Sequence, residues 1–384
     1  MLGACFTSVS LANEACSFAK VSFSADFESG RLSQCEHLSD GSYLLITQAE
    51  NQPINPSPWY YFKVMSKTPD MQQVLKLQIV AQDARPRYPP KRSEDQEQWE
   101  TMPFEFIAGR MQVSLTLRKE PIYIAAQPPI TNQDYTDWLV SRSADSNIEL
   151  VDIGKSAQGR AIRGLVRRKS SNSEWLLLIG RQHPPELTGA EAMLAFTDFL
   201  LTDERIPDAF FQRFNVLAVP NMNPDGVANG NWRHTSKGVD LNRDWGKFTQ
   251  LESRQLFDFF EQQLKAQQRL VFALDFHSTQ QDIFYTMPAE HPSVPDSFSQ
   301  DWLASLKNST LSSFTVRQRP GSSPGRGVFK QFIADYYGVQ AVTYEVGDNT
   351  PVQLNRHVAQ MSAKTLAEHM LNTPPDAFVA REKD

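Results

Sequence analysis

The first third of the chain consists of short segments in which apolar and polar residues alternate. Examples are VSFSADF, GSYLLIT, WYYFKVM, VLKLQIV and MQVSLTLR. Such alternation predicts strands with one buried face, and the turn residues between them are typical of a β-sandwich. A charged, proline-rich stretch, QDARPRYPPKRSEDQEQWE, predicts a long surface loop. We find no helical periodicity of useful length before about residue 130 and predict an antiparallel β-sandwich domain over residues 1–125.

The pattern changes after the two prolines of AAQPPITNQ, at Ala125–Gln133. Dense apolar runs follow: EWLLLIG, FNVLAVP, RLVFALDFH and VQAVTYEVG. Continuous runs of this kind are typical of strands covered on both faces. Helical patterns lie between them, including one that places Ala190, Met193, Leu194 and Leu201 on one face. We therefore predict an α/β domain over residues 126–384, with a mixed, mostly buried sheet and helices on both faces.

Composition narrows the functional classes. The 384 residues are enough for two domains, and 40% hydrophobic with 21% charged residues is ordinary for a globular protein. A net charge of −6 argues against a nucleic-acid partner and against docking on anionic lipid. No apolar run reaches the length of a membrane span, so we expect no membrane partner. Composition leaves the oligomeric state open.

The amino-terminal sequence and the cysteines predict a cytoplasmic protein. Residues 1–20 lack a basic start followed by a continuous apolar run, so we expect no secretory signal. The three cysteines, Cys5, Cys16 and Cys35, are odd in number and irregularly spaced. We interpret them as reduced thiols and not as a disulfide framework or a zinc motif.

Chemistry-bearing residues gather at the ends of the predicted core strands, where α/β sheets carry their sites. His183 and Glu186 follow EWLLLIG, and RLVFALDFH ends on His277. Two imidazoles and one carboxylate match a catalytic zinc site, which leaves a fourth position open. The His-x-x-Glu spacing by itself also fits a histidine in a turn and a glutamate at the start of a helix. A third candidate ligand, His277 at the end of another core strand, favours the metal-site interpretation.

A polar loop supplies further candidates. NGNWRHTSKGVDLNRDW, at Asn229–Trp245, contains Arg233, Asp240, Asn242 and Arg243 close together. Arginine presents a planar fork that suits a carboxylate, so the loop could bind an anionic substrate group beside a metal. The alternative is a solvated surface loop.

These motifs occur in the order found in the zinc metallocarboxypeptidases, which the chain resembles over roughly residues 130–372. The resemblance rests on HPPE, NPDG, WR, GVDLNRDW, HS and TYEVGD. FESG, PWYYFKV and AAQPPITNQDYTDW resemble the β domain and the joint that precede the catalytic domain in the cytosolic carboxypeptidase branch. The resemblance implies a carboxypeptidase-like fold, one Zn²⁺ per chain, and the C-termini of peptides or proteins as substrates.

The resemblance also implies residue roles. His183, Glu186 and His277 would bind Zn²⁺, and Asp240 would accept a hydrogen bond from His183 and fix its orientation. Glu345 would be the general base, taking a proton from zinc-bound water and later giving it to the leaving amine.

The substrate-binding residues follow in the same way. Arg233 would stabilise the oxyanion, and Asn242 with Arg243 would hold the terminal carboxylate of the substrate. GSSPGRGVFKQF, at Gly321–Phe332, corresponds to the region that lines the specificity pocket. Arg326 in that region, with Lys330 nearby, would favour a terminal Glu, as removed by the cytosolic branch. A loop whose cations face water is the alternative.

The chain departs from the digestive enzymes at two points. Pro185 stands where they have an arginine two residues after the first ligand. They also have a mobile tyrosine over the substrate, and none of Tyr336, Tyr337 and Tyr344 is a clear counterpart. Two other functions stay open from the sequence: a zinc amidohydrolase that deacylates N-acyl amino acids, and a non-catalytic peptide-binding protein.

Overall fold

The computed structural model describes residues 16–68, 71–169, 171–264, 268–309 and 314–379. By their internal contacts these residues form two units. The first comprises the described residues up to Pro129 together with Ala228–Trp232, and the second comprises Ile130–Val227 and the described residues from Arg233 onward. Our division of the chain at residues 125 and 126 stays a prediction. Among the described helices, none has the length and apolar character needed to cross a membrane.

The first unit is a sandwich of two five-stranded sheets. Its strands are β1 Val21–Ser24, β2 Gln34–His37, β3 Tyr43–Thr47, β4 Tyr61–Ser66, β5 Gln73–Ala81, β6 Lys91–Ser93, β7 Glu100–Thr101, β8 Phe104–Ile107, β9 Arg110–Leu117 and β10 Ile122–Ala125. The strand orders are β1-β4-β10-β6-β7 and β2-β3-β5-β9-β8. Phe23 of one sheet packs on Tyr43 of the other, with ring centroids 5.4 Å apart. The predicted sandwich is confirmed, with one parallel pair, β3 and β5, among antiparallel neighbours.

Two details of the first unit differ from the sequence-based expectations. The predicted proline-rich loop contains a strand, β6, which pairs with β10. Cys16 and Cys35 form a disulfide, with their Cα atoms 5.1 Å apart, so the prediction that they are reduced thiols is wrong for this structure. Cys16 precedes β1 of one sheet and Cys35 lies in β2 of the other, so only the packing of the sheets brings them together. Cys5 lies outside the described residues.

The second unit contains a mixed eight-stranded sheet. Its strands are β11 Glu149–Lys155, β12 Ala161–Arg167, β13 Glu174–Gly180, β14 Phe214–Val219, β15 Arg269–Thr279, β16 Ile283–Thr286, β17 Gln318–Pro320 and β18 Ala341–Gly347. They follow the order β11-β12-β14-β13-β15-β18-β16-β17. The four central strands are parallel. They are the four apolar runs of the sequence, whose continuous hydrophobic character suits burial on both faces.

Helices cover both faces of this sheet, as predicted. The helices are α1 Asn132–Arg142, α2 Leu187–Thr202, α3 Asp208–Arg213, α4 Pro224–Asn229, α5 Leu251–Gln263, α6 Phe298–Ser309, α7 Phe329–Tyr337 and α8 Val352–Asn372. One apolar cluster contains residues of α2, α6 and α8, and the other contains residues of α5 and α7. Short 3-10 turns lie at Leu241–Arg243 and Pro375–Phe378.

The topology fixes where a site can form. Within the sheet, β13 lies between β14 and β15. The chain passes from β13 to β14, its neighbour on one side, and only later forms β15, its neighbour on the other side. Such a reversal opens a crevice at the carboxyl ends of the two strands, which is where α/β sheets bind ligands. His183 follows β13 and His277 lies near the end of β15.

Candidate active site

Three side chains from two segments converge in this crevice. The Nδ1 atom of His183 lies 2.9 Å from Oε1 of Glu186, and Nδ1 of His277 lies 2.7 Å from its Oε2. The two Nδ1 atoms are 3.2 Å apart. Glu186 is the N-cap residue directly before α2, yet its side chain makes no capping bond to the helix. Its carboxylate is therefore directed to the two imidazoles.

This donor set fits a zinc ion. One ligand atom from each of the three residues lies within 4.8 Å of the others, and all three residues are buried. Separations of about 3 Å between donors are what ligand bonds of about 2 Å around one tetrahedral ion require. Although burial raises the pKa of Glu186, the two imidazoles hold it well below its usual range, so the carboxylate is ionised as a metal ligand must be.

Asp240 supports the first histidine. Its Oδ1 atom lies 2.9 Å from Nε2 of His183, while its Oδ2 accepts a hydrogen bond of 2.7 Å from Nε of Arg233. Burial raises the pKa of Asp240, but His183 and Arg233 outweigh burial and hold it well below the usual value. An ionised Asp240 fixes the His183 ring with Nδ1 directed toward the zinc position.

Asp275 supports the second histidine in the same way, and sequence reasoning missed it. Its Oδ2 atom lies 2.7 Å from Nε2 of His277 and accepts a hydrogen bond of 2.8 Å from Nε2 of Gln182. The signal was present as Asp-x-His, because residues two apart on a strand point to the same face. Each of the two imidazoles thus has its Nδ1 atom in the candidate metal site and its Nε2 atom bonded to an aspartate.

Glu345 lies beside His277, one of the three candidate metal ligands. It is the register partner of His277 between β18 and β15, so both side chains are on the same face of the sheet. Its Oε2 atom is buried and has no hydrogen-bond partner among the described residues. Burial, reinforced by the negative charge of Glu186, raises the pKa of Glu345 to about 7. A carboxylate with a free oxygen and a pKa near neutrality suits proton transfer.

The loop residues lie at the same crevice. Arg233 is buried, with Nη1 at 3.9 Å from Oε1 of Glu186. The Nδ2 atom of Asn242 lies 3.2 Å from Nε2 of His277, and its Oδ1 accepts a hydrogen bond from the backbone N–H of Phe329. The pKa of Arg243 is lowered, mainly by burial; the charge of Asp240 opposes this shift, and those of Arg233 and Arg326 add to it.

Two cations of the predicted specificity region differ in burial. Arg326 is exposed in the loop before α7. Lys330 is only 5% exposed, and its Nζ donates to the backbone carbonyls of Thr286 at 2.8 Å and Gly321. Burial lowers the pKa of Lys330 to about 8. A buried ammonium held by carbonyl dipoles is a candidate anchor for an anionic group.

The fold and the site together define a class of protein. The mixed sheet is covered by helices on both faces. At its edge lie two imidazoles, each hydrogen-bonded to a carboxylate, together with one further carboxylate that completes the candidate ligand set and a nearby glutamate with an oxygen unpartnered among the described residues. This arrangement is that of a zinc hydrolase of the α/β type.

Comparison with known proteins gives the family. The sequence profile of the zinc carboxypeptidase family matches residues 135–365, and that of the cytosolic carboxypeptidase N-terminal domain matches residues 23–126. The chain belongs to the zinc carboxypeptidase family and is a zinc-dependent metallocarboxypeptidase. This family acts on the C-termini of peptides or proteins.

Individual proteins are similar to the chain over part of its length. Mouse cytosolic carboxypeptidase 6 is 28% identical over 258 residues, which are 59% of this chain and 46% of the mouse protein. The chain therefore spans about half the length of that relative. An uncharacterised protein of Zymomonas mobilis is 28% identical over 76% of each chain.

Solved structures show the same fold. A metallo-carboxypeptidase from Burkholderia cenocepacia superposes with a TM-score of 0.74 at 17% identity, covering 91% of this chain and 98% of the other. One from Pseudomonas aeruginosa, in complex with (2-guanidinoethylmercapto)succinic acid, gives 0.71 at 22% identity, covering 90% and 98%.

Proposed function

We propose that the protein removes the C-terminal residue of peptides or proteins, with a preference for a terminal glutamate. Family membership supports the reaction. The observation that carries the preference is Lys330, which lies in the Gly321–Phe332 segment that we predict to line the specificity pocket. It is a buried ammonium bonded to the backbone carbonyls of Thr286 and Gly321. No described carboxylate forms an ion pair with it, which leaves its charge available to a substrate.

The reaction follows from the placement of the charged groups. His183, Glu186 and His277 would hold a Zn²⁺ ion, which when bound supplies Lewis acidity toward a water molecule and the scissile carbonyl. Glu345 takes a proton from the attacking water on its unpartnered oxygen and then delivers it to the leaving amine. Arg233, fixed by Asp240, stabilises the negative charge that develops on the carbonyl oxygen.

Recognition of a chain end requires a second anion site. We assign it to Asn242 and Arg243, on the 3-10 turn whose backbone is tied to Asp240 by the bond from the N–H of Asn242. A free terminal carboxylate bound there places the last peptide bond at Glu345 and excludes internal bonds.

The chain segment that contains Lys330 is basic. The chain has no Asp or Glu between Asp301 and Asp335. Glu345 of β18 is the register partner of Ile283 of β16. Tyr285 lies two residues further along β16, on the same face, and its register partner on β17 is Arg319. The sheet face that carries the proposed base therefore ends in an exposed arginine.

A peptide panel tests the reaction. We expect release of the last residue from peptides with a free C-terminus, none from peptides with an amidated C-terminus, and none from N-acyl amino acids. A chelator should abolish activity, and added Zn²⁺ should restore it. Deacylation of N-acyl amino acids would instead establish the amidohydrolase, and binding of peptides without cleavage by the zinc-loaded protein would establish a non-catalytic function.

Two variants test the preference. Lys330→Met keeps most of the side-chain volume but removes the charge, and we expect a large loss of kcat/KM for terminal Glu with little change for terminal Leu. Arg326→Ala tests our sequence-based assignment of the pocket cation. If only Arg326→Ala reduces the preference, Arg326 and not Lys330 is the specificity residue; if neither does, the acidic preference is wrong.

We also propose a cytoplasmic location, supported by the names of the relatives. The Cys16–Cys35 bridge argues the other way, because disulfides persist mainly in oxidising compartments. Trapping of free thiols in freshly lysed source cells decides between the two. Reactive Cys16 and Cys35 are expected in the cytoplasm, whereas blocked cysteines would place the protein in an oxidising compartment.

A further inference from the structure

Arg181 joins β13 to the segment that carries His183 and Glu186, and its backbone is strained. Its φ angle is +53°, in the left-handed region that glycine adopts readily and residues with side chains adopt rarely. Backbone strain of this kind persists only where surrounding interactions enforce it, and it clusters at functional sites. The arginine side chain is therefore expected to make an interaction that glycine could not.

The side chain makes two such interactions. Arg181 is only 3% exposed. Its Nε donates a hydrogen bond of 2.7 Å to the backbone carbonyl of Pro184, and its Nη1 donates one of 2.9 Å to the hydroxyl of Tyr135. Tyr135 lies on α1 and is itself buried. The guanidinium thus connects the segment between the two proposed ligands to a neighbouring helix.

The two prolines explain why a side chain is needed there. Pro184 and Pro185 have no backbone N–H, so the segment has few donors for its own carbonyls. The carbonyl of His183 accepts from the N–H of Glu186, and that of Pro185 accepts from the N–H of Leu187. The buried carbonyl of Pro184 is bonded by the Arg181 guanidinium instead. A buried carbonyl without a donor is costly, so the segment would shift if the guanidinium were removed.

We propose that Arg181, supported by Tyr135, is a positioning residue that sets the geometry of His183 and Glu186 for zinc. It hydrogen-bonds the residue next to His183, and no hydrogen bond joins its side chain to any of the three ligands. This inference rests on the proposed ligand set. A zinc titration of the wild type and of His277→Ala tests that ligand set separately, without any variant of Arg181.

Three variants test the positioning role. Arg181→Gly relieves the backbone strain but removes both hydrogen bonds, and Arg181→Lys keeps the charge without the planar fork. Tyr135→Phe removes only the hydroxyl. Arg142→Gln is the matched control, because Arg142 lies on the same helix as Tyr135 and binds Asp198, away from the ligands.

The readouts are zinc affinity, from competition with a chromophoric chelator, and the visible absorption of the Co²⁺-substituted protein, which reports coordination geometry. We expect Arg181→Gly to weaken zinc binding roughly 10–100-fold, as loss of outer-shell support typically does, and to alter the Co²⁺ spectrum. Arg181→Lys and Tyr135→Phe should show smaller losses in the same direction, and the control none.

Unchanged zinc affinity and an unchanged Co²⁺ spectrum in Arg181→Gly would overturn the proposal. If Arg181→Gly does not fold, Arg181→Lys and Tyr135→Phe decide, and wild-type behaviour of both would overturn it equally. An equal loss in the Arg142→Gln control would also overturn it, because the effect would then be a general consequence of loosening α1.

Discussion

At the scale of single residues, the site depends on which carboxylate oxygens have hydrogen-bond partners. Asp240 and Asp275 each bond a histidine nitrogen, and Glu186 bonds two. Asp275 and Glu345 each have one buried oxygen without a hydrogen-bond partner among the described residues. Asp275 uses its other oxygen to bond His277, whereas burial raises the pKa of Glu345 to about 7. The same residue type thus takes different roles because its surroundings differ.

The first prediction concerns Glu345. Glu345→Gln keeps the shape but cannot accept a proton, so we expect kcat/KM for a free C-terminal peptide to fall by about 10²–10⁴-fold. Zinc content should be unchanged, because Glu345 is not in the ligand group. Glu191→Gln, on α2 and paired with Arg356 at the surface, is the control. Activity of Glu345→Gln close to that of the wild type would remove Glu345 from the mechanism.

The second prediction concerns the charge of Lys330. Because burial lowers its pKa to about 8, the ammonium is present below that pH and is lost above it. The ratio of kcat/KM for terminal Glu to that for terminal Leu should therefore fall as the pH rises through about 8. Taking a ratio on one enzyme cancels titrations that affect both substrates. A ratio that stays constant from pH 6 to 10 would contradict the assignment.

At the scale of elements, alternate residues of β15 perform linked tasks. Asp275 and His277 lie two apart and point to one face, where the carboxylate orients the imidazole. We expect Asp275→Asn to weaken zinc binding roughly 10–100-fold, measured by chelator competition. Asp152→Asn, on β11 with a largely exposed side chain, serves as control and should bind zinc normally. Equal zinc affinities for the two variants would show that Asp275 has no role in orienting His277.

At the scale of the whole molecule, the Cys16–Cys35 bridge should stabilise the first unit. It closes a loop with a sequence separation of 19, and loops of about that length give roughly 3 kcal/mol. We expect dithiothreitol to lower the free energy of unfolding of the oxidised wild type by about that amount. The Cys16→Ser/Cys35→Ser double variant should unfold like the reduced wild type and not respond to dithiothreitol. An oxidised wild type that is equally insensitive would mean that the bridge does not constrain the fold.

The fold was largely predictable because the strands of the two units have different hydrophobic patterns. The four apolar runs became the central parallel strands, and the alternating segments became the sandwich. The two outer strands at each end of the sheet, β11 and β12 at one end and β16 and β17 at the other, were not predicted, because they are short or half-exposed and lack a continuous apolar run. Helix α7 was missed because it is short and follows a glycine-rich loop.

The sequence by itself determined the two-part organisation, the type of each unit and the order of the motifs, because periodicity and residue type are local properties. The tertiary structure alone decided which distant groups come into contact: His183 with His277, Asp275 with Gln182, Cys16 with Cys35, and Lys330 with the backbone carbonyl of Thr286. Those meetings depend on strand order, register and the packing of sheets, which bring together residues too far apart in the chain for any local pattern to connect.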